Sequence, residues 1–285
     1  MIYLRKWKGL IRLTRPLNGA MAGVATIIGA LIAQGGSTST FSITLGFVTV
    51  FTLSSASMVV NDYYDREVDA INAPKRPLPS GLISLDEALI FAAFLAAIGL
   101  ISAALTNLQC LMIAILALVV SVSYNTKGKK MGFVGNLMVS VCVGLTFLYG
   151  GFVAMASYAT RILTLIFATM ALLSNTGREI TKGILDVQGD KEKEINTIAA
   201  VFGPKLAAIT SVCFYLSAVA LTVIPWLLSY VSWEYIPVVA ISDLGFITSS
   251  VSLLRDNSPE NAKRVKNWIR AWMIIGLVAF AIGAR

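Results

Sequence analysis

Nine long apolar stretches constrain this chain more than anything else in it. They fall at roughly 16–34, 41–63, 85–106, 108–126, 132–154, 160–181, 204–228, 233–254 and 266–284. A helix that crosses the hydrocarbon core of a bilayer needs about 20 mostly apolar residues, and each stretch approaches that length. Only 13% of the 285 residues are charged, against about 25% in a soluble domain. There is too little polar surface to cover a core of this size in water. The expected fold is an all-α integral membrane protein, a bundle of nine transmembrane helices forming one domain over residues 1–285.

Charge placement supports that topology and gives it a direction. With the N-terminus inside, 21 of the 23 Lys and Arg fall at one face, leaving Arg161 and Arg285 on the other. This is the asymmetry that orients membrane proteins, so the net charge of +8 is topological and not a nucleic-acid footprint. The basic start, Met1 to Arg15, runs into a full span without a small-residue cleavage site, and reads as a retained cytoplasmic helix. The protein is expected in the cell membrane, multi-pass, with its C-terminus outside. Gly35 to Thr40 is a short connection, Ser84-Leu85-Asp86-Glu87 reads as a capping box, and Ser258-Pro259 opens a helix.

Thirteen of 15 carboxylates share the cytoplasmic face, the exceptions being Glu234 and Asp243. Acidic residues contribute little to orientation, so another cause must concentrate them. Asn61, Asp65 and Asp69 recur every four residues at the end of the second span; Asp186 and Asp190 repeat the spacing after the sixth. Residues four apart share one helix face, where like charges repel unless a cation lies among them. An even number of spans separates the two ridges, so both open at one polar, cytoplasmic mouth. The chain has no histidine, and Cys110, Cys142 and Cys213 lie in apolar runs without metal-ligand spacing. Oxygen donors alone suit a hard cation such as Mg2+, which characteristically shares carboxylates with substrate phosphates. Basic residues near the same mouth, among them Arg15, Arg66, Lys75, Arg76, Lys127, Lys129, Arg178 and Lys182, complete the description of a diphosphate pocket.

The string from Asn61 to Ser84, with its N-x-x-x-D-x-x-x-D pattern and RPLPSG loop, resembles the first signature of the UbiA-type intramembrane prenyltransferase superfamily. The segment from Arg178 to Ala199 is similar to its second, D-x-x-x-D. Arg15-Pro16-Leu17-Asn18 resembles the entry to the family's first span, and Tyr124 to Lys129 its tyrosine-lysine loop. Within the superfamily the pattern is most similar to the archaeal digeranylgeranylglyceryl phosphate synthases. The resemblance implies that Asn61, Asp65, Asp69, Asp186 and Asp190 hold Mg2+ and the donor diphosphate, with the four aspartates catalytic. It implies that Arg15, Asn18, Asp62, Tyr124, Lys127 or Lys129, and Lys182 bind substrate. The implied partners are a prenyl diphosphate donor and a lipid-soluble acceptor, geranylgeranylglyceryl phosphate, with an ether bond as product.

Several relatives carry the loop lysine four residues after the tyrosine, where this chain has Gly128. A glycine there ends the helix and lets Lys129 turn back toward the diphosphate, which favours it over Lys127. Tyr63, Tyr64, Tyr124, Phe147 and Tyr149 offer ring faces to a carbocation, or simple packing. Asp243, near the middle of the eighth span, must face protein or a cavity. Two other classes fit less well. A transporter coupled through Asp243 would show broken spans near the midplane, and phosphatidyl transfer expects a D-G-x-x-A-R lead-in that is missing. An aromatic acceptor on the same scaffold remains the alternative.

Overall fold

The computed structural model describes residues 2–33, 38–154, 158–192 and 195–283, so the first half of the expected connection at 35–40, and Arg285, lie outside it. Every regular element among the described residues is helical. In chain order these are α1 (Ile2–Thr14), α2 (Pro16–Ile32), α3 (Thr40–Tyr64), α4 (Arg66–Asn72), α5 (Leu85–Thr106), α6 (Leu108–Thr126), a 3-10 turn (Gly128–Met131) and α7 (Phe133–Val153). There follow α8 (Tyr158–Leu185), α9 (Val187–Glu192), α10 (Ile198–Phe202), α11 (Pro204–Leu227), α12 (Tyr235–Arg255) and α13 (Pro259–Gly283).

Among the described residues, nine long helices occupy the nine apolar stretches. Seven of them, α3, α5, α6, α7, α11, α12 and α13, are long and apolar enough to cross a membrane. The pair α1 and α2, bent by 46°, makes an eighth if it is counted as one span. The long helix α8 runs for 28 residues and carries Arg161, Arg178, Glu179 and Lys182. It packs against α7, α11, α13 and α2, so much of its surface meets protein instead of lipid. That setting tolerates Asn175, Arg178 and Glu179, which a lipid-facing helix would expel. Elsewhere the lipid-facing character is plain: Phe94, Ile101, Leu105, Met112 and Val119 stand exposed on α5 and α6.

Local sequence sets several of the helix ends. Ser84 accepts from the Glu87 amide at 3.1 Å and Glu87 accepts from the Ser84 amide at 2.9 Å, the reciprocal cap expected for α5. Ser258 accepts from the Asn261 amide at 3.3 Å and Pro259 fills the first position of α13. Helices α2 and α7 meet backbone to backbone. A Cβ on Gly150 would lie 2.2 Å from the Thr26 carbonyl oxygen, so only glycine permits that approach. Leu13, Val59, Leu78, Ile83 and Leu95 form one apolar cluster beneath the first acidic ridge. Ile180, Ile184, Tyr215, Leu253, Val265 and Ile269 form another beneath the second.

Candidate active site

The first ridge is a helix end that breaks without losing its register. Asp65 is the junction between α3 and α4, yet its amide donates to the Asn61 carbonyl at 3.0 Å and its own carbonyl accepts from Asp69 at 2.8 Å. The four-residue spacing is kept across the break. Asn61 donates its side-chain amide to Asp65 at 2.9 Å, so these two side chains do share a face.

Each ridge carboxylate, and Asp62 beside them, meets a cation from another part of the chain. Arg15 reaches Asp62 at 2.5 Å, Lys129 Nζ lies 2.7 and 2.8 Å from the two Asp65 oxygens, and Arg76 forms a short ion pair with Asp69. Arg76 is also 3.8 Å from Asp62. Asp62 and Asp69 are nearly buried, and a buried carboxylate persists only with such partners. The hydrogen bond to Asp69 holds the Arg76 guanidinium above its ordinary range, against the opposing pull of burial.

Three local features place these cations. Arg15 sits at the α1–α2 bend with φ 46° and ψ 64°, a left-handed conformation in a non-glycine residue, and Pro16 starts the next helix. That conformation costs about 1–2 kcal/mol, and the ion pair to Asp62 helps hold it. Arg76 lies in a loop anchored by the buried side chains of Leu78 and Ile83. Lys129 lies in the 3-10 turn after Thr126, where α6 has ended, with its ammonium 6.0 Å from the Tyr124 ring centre. Lys127 is exposed at the helix end, and Asn18 is exposed on α2.

The second ridge repeats the construction. Asp186 joins α8 to α9, donating its amide to the Lys182 carbonyl at 3.0 Å and accepting from the Asp190 amide at 2.9 Å. Asp190 accepts from the Thr197 hydroxyl at 3.1 Å. Two observations bring the ridges to one end of the bundle. Tyr124 lies within electrostatic reach of both Asp65 and Glu179. Gly132, at φ 57°, abuts Asn196 so closely that a Cβ would fall 1.8 Å from its carbonyl oxygen. Among the described residues no three Asp, Glu or Cys side chains already converge to hold a metal.

Glu179 is a site-facing group that the motifs did not single out, whereas Arg76 is the arginine of the RPLPSG loop named with them. Glu179 takes Arg178 at 2.9 Å and Lys182 at 3.7 Å, and Arg76 closes over the first ridge. A signal existed for Glu179, since charges inside an apolar span are functional candidates by default.

A cavity of about 290 Å3 opens below the first ridge. Asn61 and Tyr124 line it at the polar end, while Leu53, Ile113, Leu118 and Leu145 make its walls apolar. The Ser57 and Ser121 hydroxyls in its lining share a hydrogen bond of 2.5 Å. Tyr149 lines the same cavity, whereas Phe147 lines another on the far side of α7; Tyr63 and Tyr64 meet edge to face at the ridge.

Residues 22–277 match the model of the UbiA prenyltransferase family. The chain belongs to this family. It is therefore a prenyltransferase, as the resemblance implied. It is 32% identical over 276 residues to the digeranylgeranylglyceryl phosphate synthase of Methanosphaera stadtmanae, covering 96% of this chain and 98% of that one. A solved digeranylgeranylglyceryl phosphate synthase structure superposes with a TM-score of 0.89 at 33% identity, covering 98% of each chain. A UbiA homologue from Archaeoglobus fulgidus, solved with DMAPP and Mg2+, shares the fold at a TM-score of 0.69 and 18% identity, over 96% of this chain and 99% of its own.

Proposed function

We propose that this protein joins a geranylgeranyl group, taken from its diphosphate, to the free hydroxyl of geranylgeranylglyceryl phosphate. The product is a second ether bond on a membrane-lipid precursor. Near-full-length similarity to digeranylgeranylglyceryl phosphate synthases supports the acceptor. The observation that carries the reading is the placement of Asn61 and Tyr124. Asn61 belongs at once to the charged ridge and to the apolar cavity, and Tyr124 joins that cavity to the Lys129 turn.

The residues fit Mg2+. Asn61, Asp65, Asp69, Asp186 and Asp190 supply oxygen donors only, the set a hard cation takes. When bound, the ion would offset negative charge on the diphosphate as it departs. The chain's own groups do the rest. Arg15, Arg76, Lys129 and Lys182 are within reach of the ridges and would turn from carboxylates to phosphate oxygens. Fixed charges aimed where charge develops favour breaking the allylic C–O bond, more so where water is excluded. The apolar cavity walls then shield the allylic cation from water until the acceptor oxygen forms the new C–O bond. No histidine is present, so the hydroxyl proton passes to a carboxylate or to the departing diphosphate.

We place nine spans in the cell membrane within one domain, with the N-terminus and both ridges cytoplasmic and the C-terminus outside. The distribution of Lys and Arg supports this orientation. Cysteines introduced beside Asp69 and Asp190 should react with membrane-impermeant reagent only in inverted vesicles. Labelling from opposite faces would end the shared-mouth reading. The reaction is tested with purified protein, Mg2+ and radiolabelled geranylgeranyl diphosphate, offered a glyceryl-phosphate lipid or an aromatic acceptor. Mass spectrometry should find the diether phosphate. Product from the aromatic acceptor alone would replace this reading with quinone-precursor prenylation.

A further inference from the structure

A second cavity, of about 230 Å3, lies on the other side of α7, between α8, α11, α12 and α13. Phe147, Phe167, Met170, Met273 and Leu277 make its walls apolar, and Val143 lines both cavities, so α7 is the partition. Its charged lining residues are Asp243 and Arg270. Asp243 accepts from the Thr222 hydroxyl at 2.8 Å and so is turned toward α11. Ser242 donates to the Trp272 carbonyl at 2.8 Å, which fixes the register of α12 on α13 and puts Arg270 on the ridge side of that level.

From Arg270 a run of cations leads to the second ridge. Lys266 is one turn from Arg270 on α13, and Arg178 and Lys182 are one turn apart on α8, which packs against α13. Lys266 lies within electrostatic reach of Arg178, Lys182 and Arg270, and of Asp186 as counter-charge. Glu179 is the other acid, shared by Arg178 and Lys182. Among the described residues, four cations thus face two carboxylates. The buried Arg178 Nε has no hydrogen-bond partner among the described residues. Like charges one turn apart repel, and a buried unpaired N–H of a cation is costly. Both faults are cured by an anion with several acceptor oxygens.

We infer that Arg178, Lys266 and Arg270 form the subsite for the acceptor's phosphate monoester, with its isoprenoid chain in the second cavity. This rests on the function proposed above. Donor and acceptor then enter from opposite sides of α7, the diphosphate over the first cavity and the monoester over the second. Lys182 stands where the subsite meets Asp186.

Steady-state kinetics on the full-length protein in nanodiscs tests this. Lys266→Gln and Arg270→Gln should each raise the KM for the glyceryl-phosphate acceptor about 10- to 100-fold, the weight of one charge-assisted hydrogen bond. The donor KM should stay within about twofold, since neither Lys266 nor Arg270 is among the groups that hold the donor diphosphate. An acceptor alcohol lacking the phosphate should respond equally to wild type and variants. Lys266→Arg and Arg270→Lys keep the charge and should restore most of the acceptor affinity, which separates a phosphate contact from damage to the fold. An unchanged acceptor KM, an equal rise in donor KM, or charge-keeping variants as weak as the Gln variants would overturn the subsite while leaving the reaction standing. A wild-type protein that uses only aromatic acceptors would overturn the proposed reaction, and the subsite with it.

Discussion

The two ridges share a design, a helix that breaks at an aspartate and resumes in register, but they are supported differently. In the first, Asp62 and Asp69 keep only 6% and 11% of their side chains exposed, and the cations come from the α1–α2 bend and the loop after α4. In the second, Asp186 is exposed, and the cations near it lie on its own helix and on α13. Burial is the cause of the difference. A carboxylate withdrawn from water needs a fixed partner, so the first ridge is part of what holds the N-terminal helices together. An exposed one such as Asp186 remains solvated and needs no such partner.

The contrast is broken most directly by stability. Asp62→Ala leaves Arg15 without its carboxylate partner, while Arg76 keeps Asp69, and should destabilise the protein by about 1–3 kcal/mol. Asp186→Ala, at an exposed position, should change stability by no more than about 0.5 kcal/mol. Thermal unfolding of both variants in one detergent measures the gap, and equal losses would mean that the ridges are not supported differently.

Turnover should erase the contrast. Asp65→Ala and Asp186→Ala are each expected to lower kcat by about 100- to 1000-fold, as loss of a charge-stabilising group does. Asn at either position supplies an oxygen without the charge and should rescue poorly. Titration of Mg2+ against each variant separates the roles, and wild-type rates with wild-type Mg2+ dependence would remove both residues from the site.

The link between the ridges gives a smaller effect. Gly132 combines φ 57° with a contact in which a Cβ would lie 1.8 Å from the Asn196 oxygen. Gly132→Ala should cost about 1–3 kcal/mol and lower kcat, because it pushes the Lys129 turn away from the loop after Asp190. Retained stability and rate would show that the apposition is not needed.

What the sequence made legible was mostly local. Helix positions, the Ser84–Glu87 cap, the Pro259 start and the four-residue spacing of both ridges depend on periods of a few residues, and all are seen. Less legible was whatever joins distant segments. Arg15 meets Asp62 across 47 positions, and nothing near either residue announces it. The folding of Arg76 over Asp69 depends on Leu78 and Ile83 being buried beneath α1 and α3, a tertiary fact. The interior setting of α8 was hidden for the same reason, because its Arg178 and Glu179 weaken the apolar signal and only packing explains them.

The loop lysines sharpen the comparison at its finest scale. Helix α6 ends at Thr126, so Lys127 stays on the helix end and points to solvent, while the 3-10 turn swings Lys129 onto Asp65. Both residues carry the same charge and lie two positions apart, so a general electrostatic role would weigh them alike. A phosphate contact would not. Lys129→Ala should raise the donor KM about 10-fold, the lower end for a hydrogen bond to a charged group, and also release Asp65. Lys127→Ala should stay within about twofold, as expected of an exposed charge. Lys129→Arg, which keeps the charge but not the compact ammonium, should fall between them. A loss confined to Lys127 would reverse the assignment, and equal small losses would reduce both to anchors of the basic face.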